Sequence, residues 1–439
     1  MTRRPLLPLL VAGLLGACAY PYTPPALPPA NAPAPGGSAQ VGSVAAATSE
    51  VRAPVTILVS IDGFRADYLE RGVTPTLDRL RREGVSAPMR PSFPSKTFPN
   101  HWTIVTGLHP DHHGIVANTM EDPARPGETF TMATEDPFWW NAAEPLWVTA
   151  EKAGIRTATM FWPGSSVAWG GTQAREWPRD ITGGTRPEDW QAHSDQVTND
   201  QRGRAVIDWL RRPAAERPRF VTVYFSAVDT AGHQFGPDDP RTTQAIADTD
   251  AAIGRMLGQV AALGQPANVV IVSDHGMAAT SSTRVVALDR IVSPEDARLV
   301  ETGPYATFVP TPGREAAVEK ALLAPHPHMT CWRKGAIPTR LVYGRNPRVP
   351  PYLCLAETGW LLNKSAPTAT FTGGNHGYDN DAREMRALFV AAGPAFARGK
   401  TLGTVDAVDV APLLRDLLGL PAGERLDGTD RPFRGVLKR

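Results

Sequence analysis

The chain has 439 residues, with 45 Lys and Arg against 44 Asp and Glu for a formal charge of +1, and 42% hydrophobic residues. That balance gives no basic surface on which nucleic acid would dock, and the length suits one large α/β domain, or one domain with an inserted cap, once a leader and linker are set aside. After the leader, no stretch is apolar for long enough to cross a membrane as a helix.

At the start, Arg3-Arg4 precede an apolar stretch from Leu6 to Leu15, which ends Leu15-Gly16-Ala17-Cys18. A basic start, a short apolar stretch and small residues read as an export signal over residues 1–17. The ending resembles a bacterial lipobox, so Cys18 is expected to carry lipid, and Ala19 behind it points to the periplasmic face of the outer membrane. An ordinary signal peptide with an incidental cysteine would instead leave the protein in the periplasm. Residues 18–50 are rich in Pro, Ala and Gly and too poor in large apolar residues to fold, so they read as a tether. The lipid is then the one expected contact with a membrane. In an exported protein the other two cysteines, Cys331 and Cys354, are candidates for a disulfide.

The domain expected over residues 51–439 opens with Val55–Ile61, a continuous β-branched run that reads as a strand buried on both faces and ends in Asp62-Gly63. Thr74-Pro75 and a closing Gly84 bracket a helix. The next stretch, Pro94-Ser-Lys-Thr-Phe-Pro-Asn-His-Trp-Thr-Ile-Val-Thr-Gly107, has Thr97 just before Pro99 and an apolar run at helical spacing. It places Thr97 at a helix start, as a cap or beside the free N–H groups that favour an anion. Asn118 follows in a non-helical stretch.

Further along, a helix over 146–154 and a short strand over 157–161 lead into a loop-rich region holding Trp169, Trp177 and Trp190. After a helix over 204–210, Phe220–Ser226 repeats the buried-strand pattern, with Asp229 and His233 behind it. A long helix over 242–263 then leads to Val269–Ser273, followed at once by Asp274 and His275. Regular alternation is lost over about 277–374, as expected of a mixed α/β insertion; its His326 and His328 lack the partners for a metal site and read as surface or packing residues. His376 lies between glycines, and a strand over 387–392 and a helix over 406–418 close the chain.

Three apolar runs thus end in Asp62, in Asp229 with His233, and in Asp274 with His275. In an open parallel sheet the carboxyl ends of strands share one edge, where ligand sites form. With His376 added, the set is a mixed oxygen and nitrogen donor group suited to zinc. Asp229 and His233, four apart on a helix, can reach one ion.

The Lys-Thr-Phe-Pro-Asn-His string around Thr97 resembles the nucleophile segment of the nucleotide pyrophosphatase/phosphodiesterase family of the alkaline phosphatase superfamily, and with the lipobox it implies a bacterial member. The resemblance runs from Val55 to the C-terminus. It implies an alkaline-phosphatase-like α/β fold, a mostly parallel central sheet with helices on both faces and a smaller inserted region. It also implies two Zn2+ ions, one held by Asp229, His233 and His376 and the other by Asp62, Asp274, His275 and the Thr97 oxygen. Thr97 is then the covalent nucleophile in the release of a nucleoside 5′-monophosphate, Asn118 helps hold the phosphoryl oxygens, and Phe98 stacks on a base. From the residues alone, Asn118 is equally a turn residue and Phe98 a core residue. The expected partner is a nucleotide or other small phosphodiester, and the protein is expected to be a monomer.

Some members of the same family take lysophospholipids or choline phosphodiesters, which remain an alternative substrate class. A sulfatase would need a Cys/Ser-x-Pro-x-Arg string, which Thr97 does not occupy; a phosphomonoesterase would need an Arg on the extra phosphate charge. A non-catalytic envelope lipoprotein with structural metal is the remaining reading, but a closed structural site needs no hydroxyl such as that of Thr97.

Overall fold

The run Val55–Ile61 forms strand β1, and all seven of its residues are buried. The computed structural model describes residues 51–423 and 425–438; Cys18, the expected export signal and the expected tether lie outside them. Helix α1 (Pro75–Glu83), strand β2 (Val85–Arg90), helix α2 (Thr97–Thr106), helix α3 (Leu146–Lys152) and strands β3 (Thr157–Met160) and β4 (Asp189–Gln191) follow in order. Next come α4 (Asn199–Leu210), β5 (Phe220–Phe225), α5 (Ala227–Phe235), α6 (Pro240–Ala262) and β6 (Ala267–Val272).

The main sheet runs β2-β13-β6-β1-β5-β3-β4, where β13 is Ala387–Ala392 near the end of the chain; two short strands extend it beyond β2. β1 lies parallel between β6 and β5, while β13 runs antiparallel to both β6 and β2. Side chains of β1 alternate between two cores: Leu58 joins the one with Trp102 of α2 and Trp147 of α3, and Ile57, Val59 and Ile61 join the one with Leu77 of α1 and Ile253 of α6. The sheet is therefore covered on both faces, and the carboxyl ends of β6, β1 and β5 lie side by side along one edge.

Local rules gave α1 a Thr74 cap, yet that side chain makes no capping bond. The carboxylate of Asp250, from α6, accepts the first-turn N–H groups of Thr76 and Leu77 at 2.9 and 2.8 Å instead. A charged acceptor at a helix N-terminus outcompetes a hydroxyl.

The region expected to be an insertion is tied to the sheet by a two-stranded ribbon, β7 (Ala278–Ser281) with β12 (Thr372–Asn375). Between them, β8 (Ala297–Glu301), β9 (Tyr305–Pro310), β10 (Met329–Arg333) and β11 (Tyr352–Ala356) form an antiparallel sheet of order β8-β9-β11-β10 with helix α7 (Glu315–Leu322). His326 bonds the Ala321 carbonyl and His328 stacks on Trp360, as packing residues do. The chain closes with helix α8 (Val410–Leu418). No helix among the described residues is long and apolar enough to cross a membrane.

Cys331 and Cys354 are paired across β10 and β11 with Cα atoms 3.9 Å apart, and a disulfide joins them. Closing a loop over a separation of 23 residues restricts the unfolded chain. Replacing both cysteines by alanine is expected to lower unfolding free energy by about 3 kcal/mol. Chemical denaturation of the double variant measures this, and two titratable thiols in non-reduced, exported protein would overturn the bridge.

Candidate active site

Thr97 is the first residue of α2, and Lys96, not Thr97, stands at the N-cap without a side-chain cap bond. The hydroxyl is therefore free of capping duty. The loop before it is held by Asn100, whose amide accepts from Ser92 N–H at 2.7 Å and donates to the Ser92, Pro94 and Lys96 carbonyls. Asn118 supplies the missing cap from outside: its Oδ1 accepts the Phe98 N–H at 3.0 Å. That bond fixes the orientation of the amide and leaves its Nδ2 as a donor.

The sheet delivers the rest. Asp62 follows β1, Asp274 and His275 follow β6 at a bend, and Asp229 and His233 ride on α5 behind β5. His376 arrives on the ribbon, which packs tightly on α5. A Cβ on Gly373 or Gly374 would come within 2.5 Å of the His233 or Gly232 carbonyl oxygen, so the glycine pair permits this approach.

Each of the three histidines spends its Nδ1–H on a backbone carbonyl at 2.9 Å: His233 on Gly374, His275 on Gly276 and His376 on Ser95. Every Nε2 lone pair is then turned inward, the arrangement that orients a metal ligand. His376 Nε2 lies 3.0 Å from His233 Nε2 and 3.7 Å from Asp229 Oδ1. His275 Nε2 lies 2.9 Å from Asp274 Oδ2, 3.3 Å from Asp62 Oδ1 and 3.2 Å from the Thr97 hydroxyl. Lone pairs this close repel unless a cation or proton sits between them.

The carboxylates make the same demand. Asp62 Oδ1, Asp229 Oδ1 and Asp274 Oδ2 are buried with no hydrogen-bond partner. Burial pushes the carboxyls of Asp62 and Asp274 well above the usual range, and charge on neighbouring aspartates adds to it. Orphan anionic oxygens facing histidine lone pairs fit a divalent cation, and two groups, Asp229 with His233 and His376, and Asp62 with Asp229 and His275, have ligand atoms within 4.8 Å of one another. Asp229 belongs to both.

A cavity of about 770 Å³ opens on this cluster, lined by Thr97, Phe98, Asn118, Asp229 and His376 among others. Phe98 is half-buried, tilted or edge-on to Trp140 and Phe130 at 5.9 and 6.1 Å. It is thus both packed and exposed to the cavity.

The comparisons with known proteins agree with this geometry. Residues 56–379 match the family described as type I phosphodiesterase / nucleotide pyrophosphatase. Similar proteins include bis(5′-adenosyl)-triphosphatase of Xenopus laevis, 36% identical over 380 residues that make up 86% of this chain and 80% of that protein. Ectonucleotide pyrophosphatase/phosphodiesterase family member 5 of Homo sapiens is 34% identical over 83% of this chain and 74% of its own length. Among solved structures, murine ectonucleotide pyrophosphatase/phosphodiesterase 5, as an inactive threonine-to-alanine variant in complex with AMP, is similar with a TM-score of 0.81 at 32% identity, covering 88% of this chain and 100% of that one. The chain belongs to the type I phosphodiesterase/nucleotide pyrophosphatase family.

Its fold is accordingly alkaline-phosphatase-like. Within this phosphodiesterase site several residues had escaped the sequence reading. Tyr224 donates to Asp62 Oδ2 at 2.6 Å, and Lys96 lines the cavity beside Thr97. Burial pushes the Lys96 ammonium down, against the pull of Glu301 and Asp229. His101, one helical turn after Thr97, groups with Asp62 and Asp274. We discount it as a ligand: its Nδ1–H bonds the Thr97 carbonyl at 2.9 Å and its Nε2 meets the Ser60 hydroxyl at 2.8 Å, so no lone pair remains. Of the tryptophans in the loop-rich region, Trp169, Trp177 and Trp190 do not line the cavity, whereas Trp162 and His193 do.

The chain reaches Asn118 through buried His113, whose Nδ1 accepts the Ile115 N–H at 3.1 Å, leaving Nε2–H for the Thr103 hydroxyl at 3.0 Å. Burial pushes its pKa well below the usual value. The folded ring stays neutral while the unfolded ring takes up a proton near pH 6.5. This contribution to stability is intact above that pH and is lost as pH falls below it. In His113→Gln the slope of unfolding free energy against pH below about 6 should be shallower by up to about 1.4 kcal/mol per pH unit. Parallel slopes in urea titrations of the two proteins would overturn this.

Proposed function

We propose that this protein is a two-zinc phosphodiesterase/nucleotide pyrophosphatase that releases a nucleoside 5′-monophosphate through a covalent phosphothreonine at Thr97. The observation that carries the reading is the Thr97 hydroxyl, unused by its helix and 3.2 Å from His275 Nε2, facing a cluster of orphan carboxylate oxygens. Asp229, His233 and His376 would hold one ion; Asp62, Asp274, His275 and Thr97 would hold the other. The bound ions would supply Lewis acidity, favouring the alkoxide and offsetting charge on the phosphoryl oxygens.

Thr97 Oγ1 attacks phosphorus in line, the bond to the leaving oxygen breaks, and a phosphothreonyl ester forms. Water then attacks phosphorus on the opposite side and the P–Oγ1 bond breaks, restoring the hydroxyl. Asn118 Nδ2 donates to a phosphoryl oxygen, and the N-terminal turn of α2 favours the anion there. Nucleotide choice is supported by Phe98 at the cavity and by the AMP bound in the murine relative.

Thr97→Ala should abolish diester turnover while the protein stays folded and its thermal midpoint still falls on chelation and recovers with zinc. Thr97→Ser should keep measurable activity, and a chiral phosphorothioate diester should be cleaved with net retention. Near-normal turnover of the alanine variant, or net inversion, would show that water attacks directly.

If Phe98 carries a base, Phe98→Ala should reduce kcat/KM for nucleotide substrates by about 1–3 kcal/mol more than for p-nitrophenyl phosphodiesters that have no base. Equal losses on both substrates would make Phe98 a packing residue.

A further inference from the structure

We infer that the loop closed by the Cys331–Cys354 disulfide is a clamp on the Asn118 segment, with Arg348 as its positioning residue. This rests on the phosphoryl-holding role of Asn118 given above. Residues 114–119 form no helix or strand, so their polar backbone groups need partners from elsewhere. The insertion supplies two of them, at Gly114 and Val116, and is bonded to the chain just before the segment. Before it, the Asp111 carboxylate accepts the N–H groups of Gly344, Arg345 and Asn346 at 3.0, 2.7 and 3.2 Å. Tyr343 donates its hydroxyl to the Val116 carbonyl at 3.0 Å.

Arg348 bonds the chain on both sides of Asn118, at Gly114 and at Asp122. Its Nη1 donates to the Gly114 carbonyl at 2.8 Å and its Nε to Asp122 at 2.6 Å. The same guanidinium donates to the carbonyls of Trp139 at 2.7 Å and Phe138 at 3.3 Å, next to Trp140, which lines the cavity. Arg348 is 8% exposed and touches neither Thr97 nor the metal-ligand cluster, so any effect on turnover passes through what it holds. A planar fork of donors spans four acceptors that one ammonium cannot. Asn118 is itself tied to α2 through the Phe98 N–H at 3.0 Å, so a shift of its segment moves the free Nδ2 donor relative to Thr97. Misplacement on that scale can cost about a hundredfold in rate.

The test is a double-mutant cycle on hydrolysis of bis(p-nitrophenyl) phosphate, with thermal midpoints measured in parallel. Arg348→Lys should lower kcat about tenfold with a smaller change in KM. In an Asn118→Ala background the same change should cost no more than about twofold, because the group it positions is gone. Equal losses in both backgrounds, or full activity in folded Arg348→Lys, would overturn the clamp. Should Arg348→Lys fail to fold, Tyr343→Phe removes only the bond to Val116 and should show the same dependence on Asn118 with a loss of about threefold; additivity there overturns the clamp equally. Asn118→Ala alone with normal turnover would instead remove the role of Asn118, and the clamp with it.

Discussion

Asp62 and Asp274 follow adjacent strands and meet Asp229 of α5, each with a carboxylate oxygen that no hydrogen bond reaches. Burying such charge costs several kcal/mol per group unless it is offset. The neighbouring histidines cannot offset it alone, because each has committed its Nδ1–H to the backbone and turns a lone pair inward. The fold therefore holds a set of donors that is unfavourable by itself, and the rest of the architecture has to keep it assembled. Covering the sheet on both faces does part of this, since β6, β1 and β5 cannot shift without opening two cores.

Close backbone approach does another part. The ribbon carrying His376 lies against α5 only because Gly373 and Gly374 present no side chain to the carbonyls of Gly232 and His233. At Gly63, φ is +68° and a Cβ would lie 2.9 Å from the Asp229 Cα, so the turn after β1 and the start of α5 are also fitted to one another. Any residue larger than glycine would push apart two elements that carry candidate metal ligands, which joins backbone conformation directly to the geometry of the site.

The strands and their terminal acids were legible because continuous β-branched runs followed by polar residues leave little alternative in a parallel sheet. The helix start at Thr97 was legible too, but its register was not: the cap acceptor is Asn118, twenty positions away, as Asp250 replaces Thr74 on α1. Local rules cannot see a cap supplied by tertiary contact. In the aromatic-rich loops, sequence does not separate exposed rings from cavity-lining ones: Trp177 is 91% exposed while Trp162 and His193 line the cavity. His101 had a signal, its spacing of one turn from Thr97, although the structure makes it a buttress. Glu301 had none, because an irregular register between Leu299 and Glu301 defeats strand alternation there.

These non-local contacts share a pattern. Strand ends, α5 and α2 fix the acids and Thr97 through regular structure, whereas Asn118 and Lys96 sit on irregular chain. Lys96 is buried at the cavity, where burial disfavours its charge and Glu301, from β8, favours it. The candidate metal site draws on the sheet and α5, with His376 arriving on the ribbon, whereas the chain beside Asn118 is bonded by the loop over 331–354. Sequence change in the loop over 331–354 can thus alter how the Asn118 segment is held without touching Asp62, Asp229 or Asp274, a division of labour between two parts of the fold.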